Sequence, residues 1–182
     1  MKTILGSIAV FAFLLASPSV ALACAVRMGT PTSWLADSAA IVRVRPLEER
    51  RSPDAWGPGP WGPGTTVRFE VVEVLKGQVA PVLEFEGELT DLDDPNPLPV
   101  PYSTARSMAR GSYCFTFTYK RDGEYLLILG SRNDVRPLRG SDSKGGGLTP
   151  YWAPMGATNE QLFGANDPWL AWVRAQLVAG QR

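Results

Sequence analysis

Two cysteines carry most of the reactive chemistry in this sequence. Cys24 follows Ala21-Leu22-Ala23, the small-x-small end of a leader, and Cys114 is the only other cysteine. Three fates are open to Cys24: pairing with Cys114, acylation, or presentation of a free α-amine to a metal. Histidine is absent, which excludes a Ser-His-Asp triad and a His-based zinc site. Cys114 therefore has no imidazole to activate it as a nucleophile. The remaining enzymatic candidates are acid pairs, Asp91 with Asp93 and Glu84 with Glu86, because carboxylates alone can support hydrolysis. Glu84 and Glu86 share a strand face and read as solvated. Asp91, Asp93, Asp94 and Asn96 offer oxygen ligands, but the turn glycine and distal glutamate of an EF-hand loop are missing, so a solvated acidic loop is expected. The Gly140–Gly147 run lacks the Gly-x-x-x-x-Gly-Lys-Ser/Thr order of a phosphate loop. The chain reads as non-enzymatic, with no cofactor and no metal site of its own.

The leader comes before any domain. Residues 1–23 form a secretory signal peptide, with Lys2 as the positive start and Ile4 to Leu15 as the apolar core. That run is broken by Pro18 and is too short for a bilayer span. Export to the periplasm or to the outside follows. About 160 residues remain, residues 24–182, enough for one domain with one moderate core. The full chain balances 18 Lys+Arg against 18 Asp+Glu; the leader takes Lys2 and no acid, which leaves 17 against 18. Such a balance gives no reason to expect nucleic acid or anionic membrane as a partner.

The elements follow in order. Thr32 or Ser33 is placed to cap a helical turn through Trp34, Leu35 and Ala36, ending near Asp37-Ser38. Ala39 to Arg45 alternates as a strand closed by Pro46, and residues 47–64 read as loop. That loop holds a small repeat, Trp56-Gly57-Pro58-Gly59 and Trp61-Gly62-Pro63-Gly64, in which Gly and Pro deny both helix and ladder. Its tryptophans either fold back onto the body or project as contact residues, since exposed Trp is a common interface anchor. Thr65 to Lys76 is the strongest strand, and Gly77 separates it from an antiparallel partner, Val82 to Gly87. Ser103 to Gly111, with Arg106 and Arg110 one helical turn apart, is a short helix or loop. Ser112 to Phe117 precedes a turn at Asp122-Gly123 and the apolar strand Glu124 to Gly130. Val135 to Leu138 and Leu148 to Trp152 form a last, weaker pair. The chain closes in a helix over 167–179, with Asp167 as N-cap and Pro168 at its first position. Trp169, Trp172, Val173 and Leu177 make its apolar face, with Leu170 on the flank.

Five short strands, long loops and one C-terminal helix predict a mainly β domain: a small closed or partly open five-stranded barrel with a flanking helix. With a mature N-terminal Cys24, a helical turn through Ala36-Asp37 and Ile41-Val42-Arg43-Val44 behind it, the chain resembles a known family. Val67-Arg68-Phe69-Glu70-Val71, Val74-Leu75-Lys76-Gly77, and Tyr113-Cys114 ahead of Glu124-Tyr125-Leu126-Leu127 continue the likeness. It is to the netrin-like domain of the tissue inhibitors of metalloproteinases, an OB-fold barrel with peripheral helices. The likeness covers roughly residues 24 to 152 and is mostly one of pattern, so it speaks first to fold.

The resemblance implies a Cys24–Cys114 disulfide, which an even cysteine count and an oxidising destination also favour. Closing a loop of about 90 residues would contribute at most about 4.6 kcal/mol through chain entropy. It further implies a protein partner. In the family the N-terminal cysteine's α-amine and carbonyl chelate the catalytic zinc of a target protease, and an amine of pKa about 7.7–8.0 is partly neutral near pH 8. Cys24 would supply those atoms here and Ala25 would enter the specificity pocket; Trp56 and Trp61 are target-contact candidates through the projecting-loop reading and not through the resemblance. The pattern departs from the family in one respect that matters. The animal inhibitors begin Cys-x-Cys, whereas Val26 stands at the third mature position and the other framework cysteines are missing. The alternative expectation is an envelope lipoprotein of the outer membrane, acylated at Cys24, because Leu22-Ala23-Cys24 resembles the end of a lipobox. Membrane association then depends on that acyl group.

Overall fold

Thr30 caps the first helix. Its backbone is extended (φ −91°, ψ 156°), its side chain accepts from Ser33 N at 3.2 Å, and its own N–H donates to Ser33 Oγ at 3.0 Å. This reciprocal pair satisfies two of the donors a helix start leaves open. Helix α1 then runs Pro31–Asp37. The cap therefore lies ahead of Thr32 and Ser33, where the sequence places it, because Pro31 needs no N–H partner at the first helical position. Here and below, the protein is described from a computed structural model covering residues 29–51, 64–106, 117–131, 148–150 and 156–180. The leader (1–23), Cys24, Ala25, Trp56, Trp61, Cys114, and the segments 112–116 and 135–138 lie outside those residues.

The far end of α1 is held by a strand. Lys76 Nζ donates to Leu35 O (2.7 Å) and Ala36 O (2.9 Å), carbonyls that the helix terminus leaves unpaired. The chain then turns at Gly77 with φ +76°, where an added Cβ would lie 2.3 Å from Ala39 O. Only glycine meets both demands.

The strands after α1 are β1 (Ala40–Arg51), β2 (Thr65–Lys76), β3 (Val82–Glu86), β4 (Glu88–Thr90), β5 (Thr118–Lys120), β6 (Glu124–Ser131), β7 (Leu148–Pro150) and β8 (Asn159–Leu162). β1 lies between β2 and β6, antiparallel to both, and β2 pairs with β3 as the Gly77 turn predicts. The outer edge of β6 is shared, with β8 on Glu124–Leu127 and β7 on Leu129–Ser131. β4 and β5 form a separate parallel pair. The protein is thus mainly β, a six-stranded antiparallel sheet with two helices. Among the described residues no ladder joins its two edges, so the expected five-stranded barrel is not closed by backbone pairing.

β1 also corrects a boundary. It continues through Pro46 to Arg51, where Glu48 to Arg51 pair with Arg68 to Thr65 and Glu48 accepts from Arg68 at 2.6 Å. A proline is tolerated there for two reasons. The β1–β2 register shifts between Pro46 and Glu48, and β1 has parted from β6 after Val44, so this stretch is paired on one side only.

The sheet is buried on both faces. Ile41, Leu126 and Ile128 point to one side, where they meet Trp34, Leu35 and Leu162 under the helices; Val42, Val44, Tyr125, Leu127 and Leu129 point to the other, against Phe69, Phe85 and Tyr119. Double burial explains why β6 reads as an unbroken apolar run instead of an alternation. Helix α2 (Pro168–Ala179) starts as predicted: Asp167 Oδ1 accepts from Trp169 N (2.9 Å) and Leu170 N (3.3 Å). Trp169, Leu170 and Val173 are buried, so Leu170 belongs to the packing face and not to its flank. Trp169 stacks between Tyr102 and Trp172, and Arg174 clamps the helix to Glu73 of β2 at 2.7 Å.

Candidate functional site

The residues after β4 cross the molecule as a strap, 91–106, whose polar side chains do not face solvent as a group. Asp91 does, with only a 3.4 Å approach to Arg121. Asp93 takes Lys120 Nζ at 2.7 Å and Gln161 Nε2 at 2.7 Å, which together hold its carboxyl below the usual range. Asp94 is 3% exposed; its N–H donates to Gln161 Oε1 (2.7 Å) and its Oδ2 accepts from Arg106 (2.9 Å). Asn96 Nδ2 donates to Thr104 O (2.8 Å) and to Glu160 Oε2 (3.1 Å). The acidic loop is thus solvated at Asp91 and Asp93, as expected, and fastened at Asp94 and Asn96, where Arg106, Gln161, Thr104 and Glu160 supply the partners that water would otherwise provide.

Arg106 ends the strap and is the most heavily engaged side chain described. It lies in irregular backbone, 1% exposed; of the segment 103–111, read as a short helix or loop, residues 103–106 are irregular and 107–111 lie outside the described residues. Its Nε donates to Asn159 O of β8 (2.8 Å), one terminal nitrogen to Thr118 O of β5 (2.7 Å), and the other to Asp94. The guanidinium lies 5.1 Å from the Tyr125 ring centre and 5.6 Å from that of Tyr119. Arg106 thus spans β5 and β8, between which no backbone ladder forms among the described residues. The rigid fork of arginine can serve three acceptors at once, which lysine cannot do in this geometry.

Glu160 completes the cluster. It is wholly buried on β8, and its Oε1 accepts from Arg106 N at 3.2 Å. Burial pushes its carboxyl up to about 7, against the pull of Arg106 and Asn96. Glu86, read from sequence as solvated, is half-buried and raised to about 7 by burial alone; among the described residues it has no hydrogen-bond or ion-pair partner. Glu84 on the same face accepts from Thr66 Oγ1 at 2.8 Å. Burial also raises the Tyr119 hydroxyl, which accepts from Asn159 Nδ2 at 3.3 Å.

Beside this cluster an open cleft of about 570 Å³ is lined by Arg43, Arg45, Lys120, Glu124, Gln161 and Phe163, among others. Its cations are matched by carboxylates. Arg43 meets Glu73 (3.2 Å) and Glu124 (3.3 Å), Arg45 meets Glu124 (2.9 Å) and Glu70 (3.5 Å), and Lys120 meets Asp93. Phe163 stands 55% exposed at its edge. Such a lining offers charge-matched contacts, not a nucleophile with an activating base.

Of the acid pairs considered for chemistry, neither is assembled as one. Asp91 and Asp93 go to different cations, and Glu84 and Glu86 differ in burial and partners. Among the described residues no group of three or more acids or cysteines is placed to hold a metal, and no helix is long and apolar enough to cross a membrane. Arg106, Glu160 and Asn159 carry no motif. Asn159 and Glu160 show only as part of a polar run, Thr158 to Gln161, and Arg106 only by its spacing to Arg110. Comparison of the chain with protein-family models, with curated proteins and with solved structures finds no match.

Proposed function

We propose that the protein is an exported, non-enzymatic binding module on a netrin-like, OB-fold-type barrel, whose contact end is the mature N terminus at Cys24. The observation that carries this reading is the strand order. β1 lies between β2 and β6, β3 follows β2, and β8 takes the outer edge of β6. The parallel β4–β5 pair approaches that edge, and Arg106 spans the seam by donating to Thr118 O and Asn159 O. That order fits a small, partly open Greek-key barrel. The Leu75-Lys76-Gly77 element has a physical role consistent with the reading: Lys76 docks the end of α1 on the barrel and Gly77 packs against Ala39 at the start of β1. A platform of this kind would present the segment that starts six residues before Thr30.

In this proposal Cys24 pairs with Cys114, and its α-amine and carbonyl are the groups offered to a partner's zinc. Ala25, Trp56 and Trp61 make the neighbouring contacts. The charge-matched cleft supports binding over catalysis. The partner class is a zinc metalloprotease, and the location is the periplasm or the exterior.

The test is the intact mass of the mature protein from its native compartment, with and without reductant. A chain that starts at Cys24 and gains two hydrogens on reduction is expected. Inhibition of zinc proteases, lost on acetylating the α-amine, is the second expected result. A mass raised by acyl chains would instead identify an anchored envelope lipoprotein and end the chelation mechanism.

A further inference from the structure

We propose that the open cleft and the phenyl ring of Phe163 at its edge are two halves of one self-complementary surface, and that the partner it fits is a second copy of this chain. The proposal is independent of the role given to Cys24.

Phe163 is the apolar half. It is 55% exposed, yet the backbone that carries it is fixed on both sides. Leu162 before it is paired with Glu124 in the β6–β8 ladder, and its own N–H donates to Asp167 Oδ2 at 3.0 Å. Gly164 after it turns with φ +113°, and its carbonyl accepts from Asp167 N at 3.2 Å. The carboxylate that caps α2 thus also holds this loop. An aromatic ring kept in water on a fixed loop has already lost much of the freedom that binding would take from it. Leu92, 65% exposed, belongs to the same surface, since its neighbours Asp91 and Asp93 reach Arg121 and Lys120 of the cleft wall.

The lining selects the partner by charge. Arg43 and Arg45 meet Glu124, Lys120 meets Asp93, and Arg121 meets Asp91. A ligand of one sign, whether an acidic peptide, a phosphate or a cationic segment, would face the like charges of these pairs as well as the opposite ones. A surface that carries both signs can exchange pairs one for one, and a second copy brings that surface by identity. A two-fold axis at the edge of the cleft would place each Phe163 in the cleft of the other copy, the reciprocal contact that a closed dimer requires. The mature balance of 17 Lys+Arg against 18 Asp+Glu leaves no general repulsion between copies.

Sedimentation equilibrium of the full mature protein from about 1 to 200 µM tests this, with the mass expected to rise toward twice the monomer's, as suits a small interface. Each substitution acts twice across a two-fold, so Phe163→Asp should weaken association more than about 100-fold. Val178→Asp, at a side chain 57% exposed on the last turn of α2 and outside the lining, should leave it unchanged. In the unaltered protein, which needs no variant to fold, the amide shifts of Gly123, Phe163 and Gly164 should move with concentration while those of β3 stay. A chain that remains monomeric at the highest concentration would overturn the proposal and leave this face to a different protein. A dimer that survives Phe163→Asp, one lost on Val178→Asp instead, or shifts confined to another face would each refute it as well.

Discussion

Replacing Arg106 with alanine should be the most damaging single truncation among the described polar residues. The side chain makes three charge-assisted bonds, to Asp94, Asn159 O and Thr118 O, at 2.7 to 2.9 Å and 1% exposure. Its removal takes the guanidinium from buried Asp94 and this donor from two strand-edge carbonyls. Breaking a buried pair by deleting one partner costs about 3–5 kcal/mol. That is a large share of the 5–15 kcal/mol that holds a typical domain. Urea denaturation followed by tryptophan fluorescence measures the loss, with Trp169 as a buried reporter. A double-mutant cycle tests the cause. Removing Asp94 as well, as Arg106→Met with Asp94→Leu, takes away the buried carboxylate that the guanidinium faced and should recover much of the loss, giving a coupling of about 2 kcal/mol or more. Arg106→Lys keeps the charge but not the fork, so it should recover only part. A loss below about 1 kcal/mol for Arg106→Ala, the range of an exposed ion pair, would refute the view that this residue spans the seam.

Three further outcomes follow from other parts of the fold. Gly77→Ala should destabilise by roughly 1–3 kcal/mol, because φ is +76° and the new methyl would lie 2.3 Å from Ala39 O; the urea midpoint reads it. Asp167→Ala removes the acceptor for Trp169 N and Leu170 N and should cost about 1–2 kcal/mol, with a matching fall in melting temperature. The pH dependence has a definite sign. Glu160 is raised to about 7 in the folded state, so its stabilising contribution is complete below 4.5 and is lost as pH rises through 7, a fall of about 3 kcal/mol. Glu86 acts in the same direction, whereas the lowered carboxyls of Asp93 and Glu48 withdraw stability only as pH falls through the acidic range. Urea midpoints at pH 5 and pH 8 should therefore favour pH 5, and a higher midpoint at pH 8 would contradict the assignment.

Where a local rule decides the outcome, the sequence is sufficient. Asp167-Pro168 specifies the start of α2, because a capping carboxylate and a preset φ need nothing from elsewhere. Gly77 specifies the β2–β3 turn, and the alternation from Thr65 to Lys76 specifies the strand before it. The apolar run of β6 announces a buried strand, although not which strands flank it. Tertiary structure decided the polar interior. Arg106 and Asp94 carry ordinary surface residue types, and Asn159-Glu160-Gln161 has no apolar period, so β8 and the strap are invisible to any local pattern. The bonds between the strap and β8 span 53 to 68 positions along the chain, as with Arg106 Nε on Asn159 O and Gln161 on Asp93. Pro46 shows the same limit at a boundary. Its ring forbids an interior ladder position, and only the departure of β6 after Val44 and the bulge beside it make the strand continuous. The physical reason is common to all of these. Apolar burial repeats with the period of the element and is written locally, whereas a buried polar group is stable only through a specific partner, and that partner is chosen by the fold.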